Sequence, residues 1–186
     1  QKEVEPYFIL MPICGNKVVF WQEFSGTKKT TRGRIFVPMF FFGDLRVSMI
    51  KALANYRWEL NRQIKGTLWQ DPVEGGLTGA FYDYVTFFKR NSKLTPEAKA
   101  KLEDVIRNNR KDSRRVFTLF YYTWIDYERK GIQRLDKVSR DVFFKYIPFT
   151  KAIRAELAKF PAYTDLNDKY NIITNREIVR IENRYK

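Results

Sequence analysis

Residues 116–127, VFTLFYYTWIDY, constrain the fold more than any other part of the chain, because almost every one is aromatic or aliphatic. Wound as a helix of about three turns, they leave no polar face. A helix that is apolar all round is buried on every side, or buried on one side and bound to a partner on another. We therefore expect residues 114–130 to form a central core helix, which Gly131 ends.

A second long helix is predicted at residues 44–64. Asp44 follows Gly43 and is a typical N-cap residue. Apolar residues then recur along one stripe at helical spacing: Leu45, Met49, Leu53, Tyr56, Leu60 and Ile64. Because such a helix belongs near the centre of a fold, we expect it to pack against residues 114–130.

The remaining C-terminal residues are also predicted to be largely helical. Thr95 and Pro96 mark a helix start, since they suit the N-cap and the first helical position. Further helices are expected at residues 80–91, 136–147, 151–159 and 175–185. Pro161 is expected to close the helix at residues 151–159, and the glycine-rich residues 67–79 are expected to form a loop.

The N-terminal part is predicted to be extended. Residues 18–24 and 34–40 are rich in β-branched and aromatic side chains, so we expect them to pair as a long-looped β-hairpin. Pro38 is expected to make its strand an edge strand. The predicted fold is mainly α, with about six helices and a short N-terminal β-hairpin. In it, residues 1–43 form an extended segment that packs on a helical domain at residues 44–186.

The residue types argue against common catalytic chemistries. The chain has no histidine and a single cysteine, Cys14. It therefore lacks the commonest general base, the usual nucleophile pairs and the commonest zinc ligands. The glycines at positions 75, 76 and 79 have neither P-loop nor dinucleotide-binding spacing. We expect a non-enzymatic protein with no cofactor and no metal.

A formal net charge of +14 indicates an acidic partner. The densest cationic run is residues 107–115. If one helix continues through this run, its cations form a single basic stripe that follows a phosphate backbone. If Asp112 and Ser113 cap a new helix, the stripe is interrupted. The candidate binding residues, which include the tip of the hairpin loop, are Arg107, Arg110, Lys111, Arg114, Arg115, Lys28, Lys29 and Arg32.

The first functional hypothesis is a basic helical domain that binds DNA or RNA through this surface. In that case Arg110→Glu combined with Arg114→Glu should abolish binding and leave the fold intact. A second hypothesis is a structural or protein–protein interaction module of a larger, bacterial-type multidomain protein, with exposed aromatic side chains making the contact. A third is a regulatory domain whose arginines bind phosphate or a nucleotide.

The sequence also leads to expectations about the parent protein, the cellular compartment and membrane-spanning segments. The chain starts at Gln1 and ends at Lys186 within a helical pattern, so we expect it to be part of a larger protein whose other domains it contacts. The lone cysteine is compatible with a reducing compartment, and we expect a cytoplasmic protein. No apolar run approaches the ~20 residues of a membrane-spanning helix.

Overall fold

The computed structural model describes residues 5–22 and 32–183. Within these residues the chain forms three strands and then seven α-helices, which confirms a mainly α fold with an N-terminal β-hairpin. The strands are β1 (Tyr7–Gly15), β2 (Val19–Trp21) and β3 (Arg34–Phe41). The helices are α1 (Leu45–Lys65), α2 (Gly76–Phe87), α3 (Pro96–Asn108), α4 (Ser113–Asp126), α5 (Lys137–Tyr146), α6 (Lys151–Leu157) and α7 (Pro161–Glu182).

The strands form one sheet in the order β1-β3-β2. Strand β2 pairs antiparallel with β3, as predicted for the hairpin, and β1 pairs parallel with β3. The expectation that Pro38 lies on an edge strand is wrong, because β3 is the central strand. Strand β2 pairs with β3 only as far as Phe36, so the missing N–H of Pro38 removes no hydrogen bond from that pair.

Local signals explain where the main helices begin. The carboxylate of Asp44 accepts a hydrogen bond from the backbone N–H of Val47, and the hydroxyl of Thr95 accepts one from Ala98. Each bond satisfies an N–H group that has no partner inside its own helix. Helix α1 ends at Gly66, whose φ of 56° suits glycine.

Helices α1 and α4 pack on each other at the centre of a core rich in aromatic rings. The ring of Phe117 lies 5.1 Å from that of Trp58, 5.3 Å from that of Phe81 and 5.6 Å from that of Phe143. All four side chains are almost completely buried. Helix α4 is nevertheless not buried on every side, because Leu119 is 39% exposed. One face of α4 therefore reaches the surface, which rules out burial on every side and leaves the alternative of a helix buried on one side.

Several boundaries differ from the prediction: α4 ends at Asp126 rather than at Lys130, and α7 begins at residue 161 rather than at residue 175. Pro161 is the first residue of α7 rather than a stop signal, since the missing N–H of a proline costs nothing in the first turn of a helix. Helix α2 begins at Gly76, within the stretch predicted as a loop. A Cβ added to Gly79 would lie 1.9 Å from the carbonyl oxygen of Asp71. The glycines thus permit close packing of backbone on backbone, which apolar periodicity does not reveal.

A buried ion pair joins the C-terminal elements. Glu128 follows α4 and is 0% exposed, and its Oε2 atom accepts a hydrogen bond from Nε of Arg140 at 2.7 Å. The Tyr163 hydroxyl donates to the same oxygen, while Oε1 accepts from the N–H groups of Arg134 and Leu135. Because every oxygen of this buried carboxylate is paired, the cluster ties the end of α4 to α5 and α7.

Candidate functional site

The turn between α3 and α4 interrupts the predicted basic stripe. The carboxylate of Asp112 accepts hydrogen bonds from the N–H groups of Arg114, at 2.9 Å, and Arg115, at 3.3 Å, and so caps α4 as a new helix. Helix α3 has already ended at Asn108. The interpretation of one continuous helix with a single basic stripe is therefore wrong, and the alternative with a fresh cap at Asp112 is correct.

Arg110 and Lys111 occupy this turn in the left-handed conformation, with φ angles of 58° and 57°. The N–H of Lys111 donates to the carbonyl oxygen of Ile106 at 2.9 Å and so satisfies one acceptor at the end of α3. Glycine or asparagine usually takes such a position, because a side chain there costs roughly 1–2 kcal/mol per residue. Both side chains are exposed, and neither forms an ion pair or hydrogen bond with any described residue.

A cleft of about 540 Å³ adjoins this turn, between α1 and the start of α4. Its polar lining comes from three parts of the chain: Lys51 and Asn55 on α1, Asn109 and Asp112 in the turn, and Arg114, Arg115 and Thr118 on α4. Lys51 is exposed and has no acidic partner among the described residues. We call Lys51, Arg110, Lys111 and Arg115 the cationic corner. Among the described residues that line the cleft, Asp112 is the one acidic side chain.

Arg114 has a structural role instead. Its Nη1 atom lies 2.7 Å from Oε1 of Glu59, a buried carboxylate on α1, and its Nε donates to Oδ1 of Asn55 at 2.7 Å. Nε of Arg62 lies 3.1 Å from the other oxygen of Glu59. The guanidinium of Arg114 thus joins α4 to α1, so we assign Arg114 to stabilising the fold rather than to binding a ligand.

The two other predicted cations of this run make exposed ion pairs. Arg107 contacts Asp104 at 2.6 Å, and Arg115 contacts Asp112 at 3.5 Å. Ion pairs between exposed side chains contribute about 0–1 kcal/mol, so a stronger anion can displace either carboxylate.

Of the three predicted residues of the hairpin tip, the structure describes Arg32. Lys28 and Lys29 are outside the described residues. Arg32 donates a hydrogen bond to the hydroxyl of Tyr7 at 3.3 Å and lies 5.1 Å from the centre of the same ring. It therefore belongs to the surface beside β1.

Sequence reasoning missed Lys51 and Asn55 as members of the site. They lie four residues apart on α1 and so share a helix face, which is a visible local signal. Their proximity to Arg115 follows from the packing of α1 on α4, however, and no local pattern encodes which faces of two distant helices meet.

A protein-family model described as "Domain of unknown function (DUF8509)" matches residues 66–186, more than half of the chain. The chain belongs to this family. The DUF8509 match starts directly after α1, so it includes the α3–α4 turn with Arg110 and Lys111. Lys51, on α1, precedes it, and the cationic corner is therefore built by residues on both sides of the DUF8509 boundary.

No curated protein and no solved structure matches this DUF8509 chain. Among its described residues, no group of three or more Asp, Glu or Cys side chains is arranged to hold a metal ion. Residues 5–22 and 32–183 likewise contain no helix that is both long and apolar enough to cross a membrane.

Proposed function

We propose that this chain binds the phosphate backbone of nucleic acid through the cationic corner, in a binding rather than a catalytic role. One observation carries the proposal: two adjacent exposed cations, Arg110 and Lys111, occupy left-handed positions where glycine would be less strained. Residues held in unfavourable backbone conformations cluster at functional sites. A requirement for positive charge at this corner accounts for two cations at positions that suit glycine.

The local charge supports an anionic ligand. Two cations of the cationic corner, Lys51 and Arg115, line the cleft, and the other two lie in the adjoining turn. Among the described residues that line the cleft the one carboxylate is that of Asp112, so the corner keeps a positive net charge even after Asp112 pairs with Arg115. Arg110 and Lys111 form no ion pair with the described residues that binding would have to break. Arginine and lysine together suit phosphate, because the guanidinium donates two parallel hydrogen bonds and the ammonium acts as a compact charge.

Salt dependence of oligonucleotide binding tests the proposal. We expect a fluorescent oligonucleotide to bind at low salt, and about four phosphate contacts should weaken the affinity roughly 100-fold between 50 mM and 200 mM salt. Single-stranded and double-stranded oligonucleotides of equal length would show which form is preferred. No binding of either at low salt would end the nucleic-acid proposal.

Two further ligands separate the competing anions. Poly-glutamate offers negative charge without phosphate, so tighter binding to it than to the oligonucleotide would favour an acidic protein as the partner. Nucleoside triphosphates offer phosphate without a polymer. Thermal stabilisation by a nucleotide, with no oligonucleotide binding, would favour the hypothesis of a regulatory nucleotide-binding domain.

A further inference from the structure

Exposed apolar side chains are concentrated around the N-terminal sheet. Ten of the twenty large apolar side chains that are exposed in the described residues lie between Tyr7 and Leu45. They lie on both faces and at both edges of the sheet, since Tyr7 and Phe8 alternate on β1 whereas Val19 and Trp21 belong to β2. Those at the outer edge of the sheet next to β3 belong to β1.

Strand β1 lies beyond the part of the sheet that the described helices cover. In the sheet register Phe8 lies beside Ile35 and Leu10 lies beside Val37, so all four side chains point to the same face. Ile35 and Val37 are 0% and 8% exposed, whereas Phe8 is 57% and Leu10 is 67% exposed. The described helices thus cover β3 on this face and leave β1 open.

The backbone of β1 is open along its outer edge as well. The N–H of Tyr7 donates to the carbonyl of Gly33, next to β3, so the alternation of a strand turns the N–H and C=O groups of Phe8 and Leu10 to the opposite edge. No other strand of the described sheet lies there. Strand β1 also contains no charged residue, although charged side chains commonly protect exposed edges from pairing with another chain.

Two prolines bracket this edge symmetrically. Pro6 and Pro12 have no N–H to donate, and both lie three residues from Ile9. If two copies of β1 pair antiparallel with Ile9 opposite Ile9, then Phe8 lies opposite Leu10 of the second copy, and proline lies opposite proline. Every outward N–H and C=O of Phe8 and Leu10 then finds a partner, which makes four hydrogen bonds. Shifting the two-fold axis to Phe8 or Leu10 sets a proline opposite one of these residues and leaves a carbonyl unpaired.

We propose that a second copy of this chain pairs with β1 in this register and gives a continuous six-stranded sheet. Phe8 and Leu10 of both copies would lie together on the α1 side of that sheet, where their exposed side chains would bury each other. The symmetry of the edge favours a second copy over an unrelated strand, because a two-fold interface requires one surface to complement itself. The exposed side chains of Phe8 and Leu10 from both copies would supply the apolar surface that this interface buries.

Disulfide trapping tests the register. Ile9 of each copy forms a non-hydrogen-bonded pair, in which Cα atoms lie about 4.5 Å apart, within the range of a disulfide. We expect Ile9→Cys, in a Cys14→Ser background, to cross-link under mild oxidation at least tenfold faster than Phe8→Cys in the same background. The Phe8 positions lie on either side of the axis, too far apart to bridge directly. Equal rates would overturn the register.

The molar mass of the wild-type chain tests the dimer itself. Sedimentation equilibrium at concentrations up to hundreds of micromolar should show twice the mass of the 22.3 kDa chain, and Leu10→Lys should shift the mass to that of a monomer. Circular dichroism would check that this exposed substitution leaves the helices intact. A wild-type chain that stays monomeric over this range would overturn the proposal.

Salt distinguishes this interface from the anion-binding surface. Pairing two chains that each carry a charge of +14 should strengthen as salt screens their repulsion, whereas oligonucleotide binding should weaken. An association that weakens as salt rises would contradict pairing through the uncharged edge of β1. The Leu10→Lys chain should still bind the oligonucleotide at low salt, so either proposal can fail without the other.

Discussion

Arg114 Nη1 lies 2.7 Å from Oε1 of Glu59, a carboxylate whose side chain is only 2% exposed. The ion pair therefore has one buried partner, and removing Arg114 leaves Glu59 in the core with Arg62 as its one ion-pair partner among the described residues. The experiment suggested by the sequence, Arg110→Glu with Arg114→Glu, would set two carboxylates against each other and destabilise the fold. Arg110 and Lys111, and not Arg114, are therefore the positions at which the proposed binding can be tested without destabilising the fold.

Replacing Arg114 with methionine should lower the free energy of unfolding by about 2 kcal/mol. A fully buried pair loses about 3–5 kcal/mol when broken, but Arg114 is partly exposed and Arg62 remains. Urea denaturation would measure the change. Arg115→Met is the matched control, because its partner Asp112 is exposed, and it should change stability by less than about 0.5 kcal/mol. Equal losses in both variants would refute the structural role of Arg114.

Breaking the buried pair of Glu128 and Arg140 should lower the free energy of unfolding more than removing Arg114 does. Burial alone lowers the pKa of Arg140, but the hydrogen bond and the charge of Glu128 outweigh it and raise that pKa above its ordinary value. We expect Arg140→Met to cost about 3–5 kcal/mol, since it leaves a buried carboxylate uncompensated. Tyr163→Phe removes one hydrogen bond to the same oxygen and should cost about 1–3 kcal/mol. If both substitutions were neutral in urea denaturation, the cluster would not hold α4, α5 and α7 together.

Replacing Arg110 with glycine should leave the protein as stable or make it more stable by up to about 1 kcal/mol, because glycine adopts a φ of 58° without strain. The matched control is Lys101→Gly, at an exposed position inside α3, which should destabilise by about 1 kcal/mol. Thermal unfolding would compare the two. The same Arg110→Gly variant should bind the oligonucleotide more weakly. A variant destabilised as much as the control would show that Arg110 stabilises the turn.

Asp141 on α5 should make stability depend on pH. Partial burial raises its pKa, while Lys169, Lys137 and Lys93 act in the opposite direction. A carboxyl whose pKa is higher in the folded than in the unfolded state stabilises the fold most when protonated. This contribution is lost as pH rises through the folded-state pKa.

We therefore expect Asp141→Asn to be more stable than the wild type at pH 7 and equally stable below the ordinary pKa of aspartate. Urea denaturation at both pH values would measure the difference. Asp168→Asn, on the exposed surface of α7, is a control for the general loss of one negative charge. An Asp141→Asn effect that is the same at both pH values would contradict the titration.

The caps explain why much of the helical fold could be predicted. Asp44 and Thr95 are short polar residues directly before apolar repeats, and each satisfies the N–H groups of its own helix. Signals of this kind act over three or four residues, so the sequence shows them locally. The start of α2 was missed for the opposite reason, because Gly79 is selected by close contact with Asp71, eight residues away.

The candidate site could be predicted only in part. The sequence identified Arg110 and Lys111 as part of a dense basic run, but their left-handed backbone contradicts the preferences of both residue types. Asp112 suits both a helix cap and an exposed helix face. The sequence alone therefore could not show whether one helix continues through the basic run or a new helix begins there. The contribution of Lys51 depends on tertiary packing and has no local signal.

The measurement that tests the central claim most directly is the affinity of one oligonucleotide for two variants of equal charge. Arg110→Gln with Lys111→Gln changes the turn. Lys151→Gln with Lys159→Gln removes the same charge from exposed positions on and just after α6. At low salt we expect the first variant to bind at least tenfold more weakly than the wild type, with a salt slope smaller by about 2, and the second to stay within about threefold. Equal weakening of both variants, or no weakening of the first, would contradict binding at the cationic corner.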